Sequence, residues 1–184
     1  MTTAKRGALL DVVSRWALRI PNRGVLKDWG CFKANSIFRV EQEIFPPGLP
    51  DWTGGKYPCT DGETVWVPHG PVEACISILL HETAHALLHY ANGPDPSFED
   101  PDTGFASVLE AEACAAAYLA AVALGQAPLY NKSYLEVWEG DVETFKRDSK
   151  EKVMKAATRI ADRYSDSMMR FNGIRESAMA AKGA

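Results

Sequence analysis

Two histidines and a glutamate stand at the spacing of a catalytic metal site: His81, Glu82 and His85 form an H-E-x-x-H pattern. On an α-helix, side chains four residues apart lie one above the other on the same face, so imidazoles at 81 and 85 can grip one metal ion. Glu82, one step round the helix, can reach a water held by that metal. Two nitrogen ligands and a general base are the arrangement that zinc peptidases use. The flanking residues are uncharged, from Ile78-Leu79-Leu80 before the motif to Ala86-Leu87-Leu88 after it, which places the pattern on a buried helix. The competing reading is a core helix with hydrogen-bonded histidines. It leaves two imidazoles and a carboxylate in need of buried partners, and a metal supplies them.

A catalytic zinc takes a third protein ligand and keeps a fourth position for water. Glu110 and Glu112 are the candidates, two positions apart and therefore on different sides of one helix. Ser107-Val108-Leu109-Glu110 reads as a capping box, which gives Glu110 a structural task at the helix start. Glu112 has no such task. It is followed by Ala113-Cys114-Ala115-Ala116-Ala117, small residues that let this helix approach the motif helix as a shared metal requires. Glu112 is therefore favoured as the third ligand over Glu110. A further donor should stabilise the oxyanion of the reaction. His89, Tyr130 and Tyr134 are candidates, and the sequence does not choose among them. His89 extends the histidine row by one more turn, too far for direct ligation, and reads as a hydrogen-bonded histidine. His69, just before the motif helix, is equally open.

These residues need elements to position them. Leu9, Val12, Val13, Trp16 and Ile20 follow the helical period and predict an amphipathic helix over residues 8–20. Residues 36–45 alternate as a strand, stopped by Pro46-Pro47-Gly48. Residues 48–62 are turn-rich, with Asp61-Gly62 a tight-turn signal, and Thr64 to Val67 reads as a second strand. A sheet edge beside a metal can hold an extended substrate by strand addition. Pro71 opens the motif helix, expected over 71–91. Residues 92–106 predict an exposed loop, residues 107–125 the third-ligand helix closed by Gly125, and Ser133 to Glu136 a second capping box opening a helix through Trp138. A long amphipathic helix is expected over 149–172, and the last ten residues have no anchor. The whole predicts one α+β domain over 1–184. It comprises an N-terminal helix and linker (1–35), a small sheet (36–68), the motif helix (71–91), the ligand helix (107–125) and C-terminal helices (133–172).

At 184 residues, 20.2 kDa and 46% hydrophobic content, the chain can build one real core and is not a disordered segment. No apolar run reaches the length of a membrane span, and no secretory signal is visible, so a cytoplasmic protein is expected. Cys31, Cys59, Cys75 and Cys114 form no C-x-x-C pair and read as free thiols. Charge is unevenly spread: residues 1–33 carry +5, residues 34–145 carry −14 and residues 146–184 carry +5. The acidic middle holds the motif. Basic ends could touch nucleic acid, although solvated helix faces carry the same bias.

The combination of Leu-Leu-His-Glu-Thr-Ala-His-Ala-Leu-Leu-His with Glu110-Ala111-Glu112-Ala113 resembles the ImmA/IrrE metallopeptidases and the peptidase domain of ArdC-type antirestriction proteins. Tyr134-x-x-x-Trp138 and the long helix with Ala156, Ala157 and Ile160 are more similar to the ArdC-like branch, in its stand-alone, phage or mobile-element form. The resemblance covers about residues 64–170. It implies a compact zincin (gluzincin) fold and a Zn²⁺ held by His81, His85 and Glu112, with Glu82 as general base acting on a protein or peptide substrate. The ArdC type also carries an N-terminal single-stranded-DNA-binding domain that 184 residues cannot hold in full. The alternative expectation is a non-catalytic, antirestriction-type binding protein, directed at nucleic acid or a regulator, with a structural zinc site.

Overall fold

A computed structural model describes residues 6–23, 37–42, 59–67, 71–90 and 107–165. The elements in order are helix α1 (Ala8–Ala17), strands β1 (Arg39–Gln42), β2 (Cys59–Thr60) and β3 (Thr64–Val67), and helices α2 (Val72–His89), α3 (Val108–Ala123), α4 (Leu129–Val137) and α5 (Val142–Asp148). A last helix, α6, is described over 150–165. The architecture is α+β: mostly helical, with one small sheet. No helix among the described residues is long and apolar enough to cross a membrane.

The helix α3 explains the packing of the rest. Ala111, Ala113, Ala115, Ala116, Ala117, Ala120 and Ala121 are all buried, so this helix is covered nearly all round. Methyl side chains let neighbouring backbones come close, and α2, α4 and α1 all pack on it, α2 most extensively. The apolar face of α1 joins this core through Leu9, Val12, Val13 and Trp16, as its spacing predicts. Trp16 stacks on Phe145 of α5, with ring centroids 6.1 Å apart. Val153, Ala157, Ile160, Ala161 and Tyr164 of α6 close the same core.

The sheet runs β1-β3-β2, with β1 parallel and β2 antiparallel to β3. The strand β3 is thus central among the described strands, and Val65 pairs with Val40 on one side and Thr60 on the other. Its own edges are occupied, so it cannot take up a substrate strand. The β2–β3 turn confirms the Asp61-Gly62 signal: Asp61 Oδ1 accepts from the backbone N–H of Glu63 at 2.9 Å and of Thr64 at 2.7 Å. Gly62 has φ +89°, and a Cβ there would lie 2.7 Å from Tyr90 Cβ. Glycine lets this turn seat against the residue that follows α2.

Local chemistry sets the helix ends. Pro71 is the cap of α2 rather than its first helical residue. Ser107 caps α3, accepting from the Glu110 N–H at 3.5 Å, and Gly125, at φ +65°, closes it. One expectation is corrected: α4 starts at Leu129, four residues before Ser133, which lies inside the helix. Pro128 suits a helix start because its missing N–H would be unpaired there, and the Lys132 N–H bonds its carbonyl at 2.8 Å. Asp141 caps the extra helix α5. His69, the loop at 92–106, residues 166–172 of the expected last helix and the final ten residues lie outside the described residues.

Candidate metal centre

The helix α2 carries His81, Glu82, His85 and His89, all buried. His81 meets Cys114 and His85 meets Glu110, so positions advance along α2 as they recede along α3, and the two helices run antiparallel at the site. The Nε2 atoms of His81 and His85 stand 3.0 Å apart. The Glu110 carboxylate closes a triangle with them, Oε1 at 3.0 Å from His85 Nε2 and Oε2 at 3.3 Å from His81 Nε2. Ligand atoms bound at about 2.0–2.1 Å and tetrahedral angles lie roughly 3.3 Å apart, so each of these three spacings is of the size expected between two ligand atoms of one small cation. The donor set of two imidazoles and a carboxylate is also a zinc set. His81, Glu110 and Cys114 form a group whose ligand atoms all lie within 4.8 Å of one another and could hold a metal ion.

Glu112 is not beside the motif histidines. It is buried on another side of α3, with Oε2 3.1 Å from His89 Nε2 and Oε1 2.7 Å from Lys152 Nζ. The Ser149 hydroxyl donates to the same Oε1. The expectation that Glu112 faces His81 and His85 is thus corrected to Glu110. The reason lies in the capping box. Ser107 does cap the helix, but it uses the backbone N–H of Glu110, which leaves that side chain free to turn to the histidines.

Electrostatics follows the geometry. Burial works against a charge on Glu110, yet the hydrogen bonds of His81 and His85 hold its carboxyl well below the usual range. Burial lowers His85 to about 4, so it is neutral near pH 7 with a lone pair to offer. Burial also opposes charge on His81, but Cys114 and Glu110 outweigh it and hold that ring well above the imidazole range. Burial pushes the Cys114 thiol itself up, so the negative partner left at neutral pH is Glu110. A proton and a metal compete for the same His81 nitrogen. Burial raises Glu82 to about 7, the range of a general base working near neutrality.

Two further residues border the site. The Tyr130 ring meets His81 edge-on at 5.5 Å between centroids, with the residue 52% exposed. Tyr134 lies one turn along α4, on the same face because the helix starts at Leu129. Burial raises both phenols, and Glu110 and Cys114 add to the rise. Both therefore keep their protons as donors. His89 is tied instead to Glu112 and to His85 Nδ1, at 3.1 Å each, on the side away from the triangle.

No family model, no curated protein and no solved structure matches the chain.

Cys114, Ser149 and Lys152 were not singled out by sequence. Cys114 Sγ lies 3.6 Å from His81 Nδ1, the nitrogen not turned to the triangle. Its signal was available: Glu110 and Cys114 are four apart and so share a helix face. Lys152 carries no such signal, since a lysine on a helix surface is ordinary.

Proposed function

We propose that this chain is a zinc-dependent metallopeptidase, a gluzincin-like relative of the ImmA/IrrE and ArdC-type peptidase domains, with His81, His85 and Glu110 as ligands. The observation that supports the reading is the convergence of two imidazole nitrogens, 3.0 Å apart, with the two oxygens of one carboxylate, 3.0 Å from His85 and 3.3 Å from His81, beside a buried glutamate one residue from the first ligand. The lone pairs that converge here need a positive charge between them, which a proton on His81 supplies until a metal displaces it.

When bound, zinc acidifies a water and polarises the scissile carbonyl. Glu82 accepts the proton of the attacking water and delivers it to the leaving amine. Tyr130, exposed at the rim, and Tyr134, behind it, offer phenolic O–H groups to the oxyanion. His85 and Glu110 need no prior proton loss near pH 7, and His81 does, so metal uptake releases a proton there. The net charge of −14 over residues 34–145 favours a neutral or basic peptide segment as substrate.

The deciding experiment compares new protein N-termini in a lysate of the source cells after adding wild type or Glu82→Gln. Termini that appear only with wild type and vanish with a chelator are expected. Removing a general base lowers rate about 10²- to 10⁴-fold while leaving the ligands in place. No difference, with zinc bound to both proteins, would overturn the peptidase and leave a binding protein with a structural zinc.

A further inference from the structure

The histidine row continues past the metal motif, and its far end is tied off. His85 turns Nε2 to His81 and Glu110, and its Nδ1 stands 3.1 Å from Nδ1 of His89. His89 in turn holds Nε2 3.1 Å from Glu112 Oε2. The other oxygen of Glu112 takes the Ser149 hydroxyl and, at 2.7 Å, the Lys152 ammonium. His85, His89, Glu112 and Ser149 are buried, and Lys152 reaches in from the surface.

We propose that His89 and Glu112 are positioning residues for the metal centre: a Glu112–His89–His85 relay, clamped by Ser149 and Lys152, that fixes the tautomer and ring orientation of His85. This rests on the metal-site reading above. Proton counting gives the relay its direction. An imidazole that ligates through Nε2 carries its proton on Nδ1. Two Nδ1 atoms facing each other at 3.1 Å share a single proton, because two would collide and none would oppose two lone pairs. His85 therefore donates and His89 accepts. The proton of the His89 ring then sits on Nε2, where it faces the Glu112 carboxylate and donates to it. Glu112, with a hydroxyl and an ammonium on its other oxygen, is an acceptor only. A carboxylate behind a ligating histidine fixes the ring and raises its basicity. Here the carboxylate acts through one intervening imidazole.

The test uses the full chain. Zinc affinity is measured by chelator competition for wild type, His89→Phe, Glu112→Gln and Lys152→Met, and imidazole tautomers are read by ¹⁵N NMR on the zinc-loaded wild type. The relay predicts His85 protonated on Nδ1 and His89 on Nε2. It predicts zinc binding about 10- to 100-fold weaker for His89→Phe and Glu112→Gln, as for other residues that orient ligands. Lys152→Met leaves Glu112 its bonds to Ser149 and His89 and should weaken zinc binding less than either of the other two variants. A His89 protonated on Nδ1, or a folded His89→Phe with wild-type affinity, overturns the relay and leaves the metal site standing. A wild type that takes up no zinc overturns the metal site itself, and the relay with it. The tautomer spectrum comes from wild type, so a variant that fails to fold does not leave the question open.

Discussion

Glu110 and Glu112 stand two residues apart on one helix, and each directly precedes an alanine, yet their surroundings are opposite in kind. The Glu110 side chain is 35% exposed and faces two imidazoles. The Glu112 side chain is 1% exposed and meets His89, a hydroxyl and an ammonium. At Glu110 the groups that converge are all potential ligands with lone pairs. At Glu112 the carboxylate oxygens are matched to donors. A matched set stabilises a fold by itself, whereas converging lone pairs need a proton or a metal ion between them. The comparison separates a site suited to a ligand from a cluster that holds that site in place, although both glutamates stand in the sequence as candidate third ligands at the start of one helix.

The largest effect that would break this comparison is on metal. Glu110→Gln is expected to lose zinc in a dialysis against chelator that leaves wild type loaded, as read by metal analysis; retention would return the ligand role to Glu112. Stability should show the reverse order. Glu112→Ala leaves His89, Ser149 and Lys152 without their acceptor and should cost about 3–5 kcal/mol in urea unfolding of the metal-free protein. Glu110→Ala, at a partly exposed position, should cost under about 1 kcal/mol in the same assay. Equal losses would mean that the two carboxylates do the same work.

Glu82 sharpens the comparison through pH. Its folded value of about 7 lies above the ordinary 4.5, so between those values the folded chain binds more protons than the unfolded one. Stability from this group is then full below about pH 4.5 and falls as pH rises toward 7. Metal-free Glu82→Gln should match wild type near pH 4 and exceed its stability at pH 8 by roughly 3 kcal/mol. Unfolding curves at the two pH values check this, and a destabilised variant at pH 8 would remove the burial argument. The smallest effect belongs to Lys152→Met. With half the lysine side chain in solvent, unfolding should shift by less than about 1 kcal/mol.

The sequence by itself determined a good deal. The H-E-x-x-H spacing and its apolar flanks put His81, Glu82 and His85 on one buried helix, because a four-residue interval and a 3.6-residue turn leave no other arrangement. The run Ala113-Cys114-Ala115-Ala116-Ala117 announced a helix that its neighbours can approach closely. Ser107 marked the start of that helix, Gly125 its end, and Asp61-Gly62 the turn. The start of α4 departs from the local pattern, because Ser133 offers a capping box while Pro128 sets the real start. What only the tertiary structure decided is which glutamate faces the histidines. Positions two apart on a helix point about 200° away from each other, so the orientation of α3 about its axis decides which of the two faces the histidines. That orientation is set by α1, α2, α4 and α6 packing on α3 together, through residues scattered from Leu9 to Tyr164. No local pattern contains it, and His89, Ser149 and Lys152 come to Glu112 only because that packing brings them there.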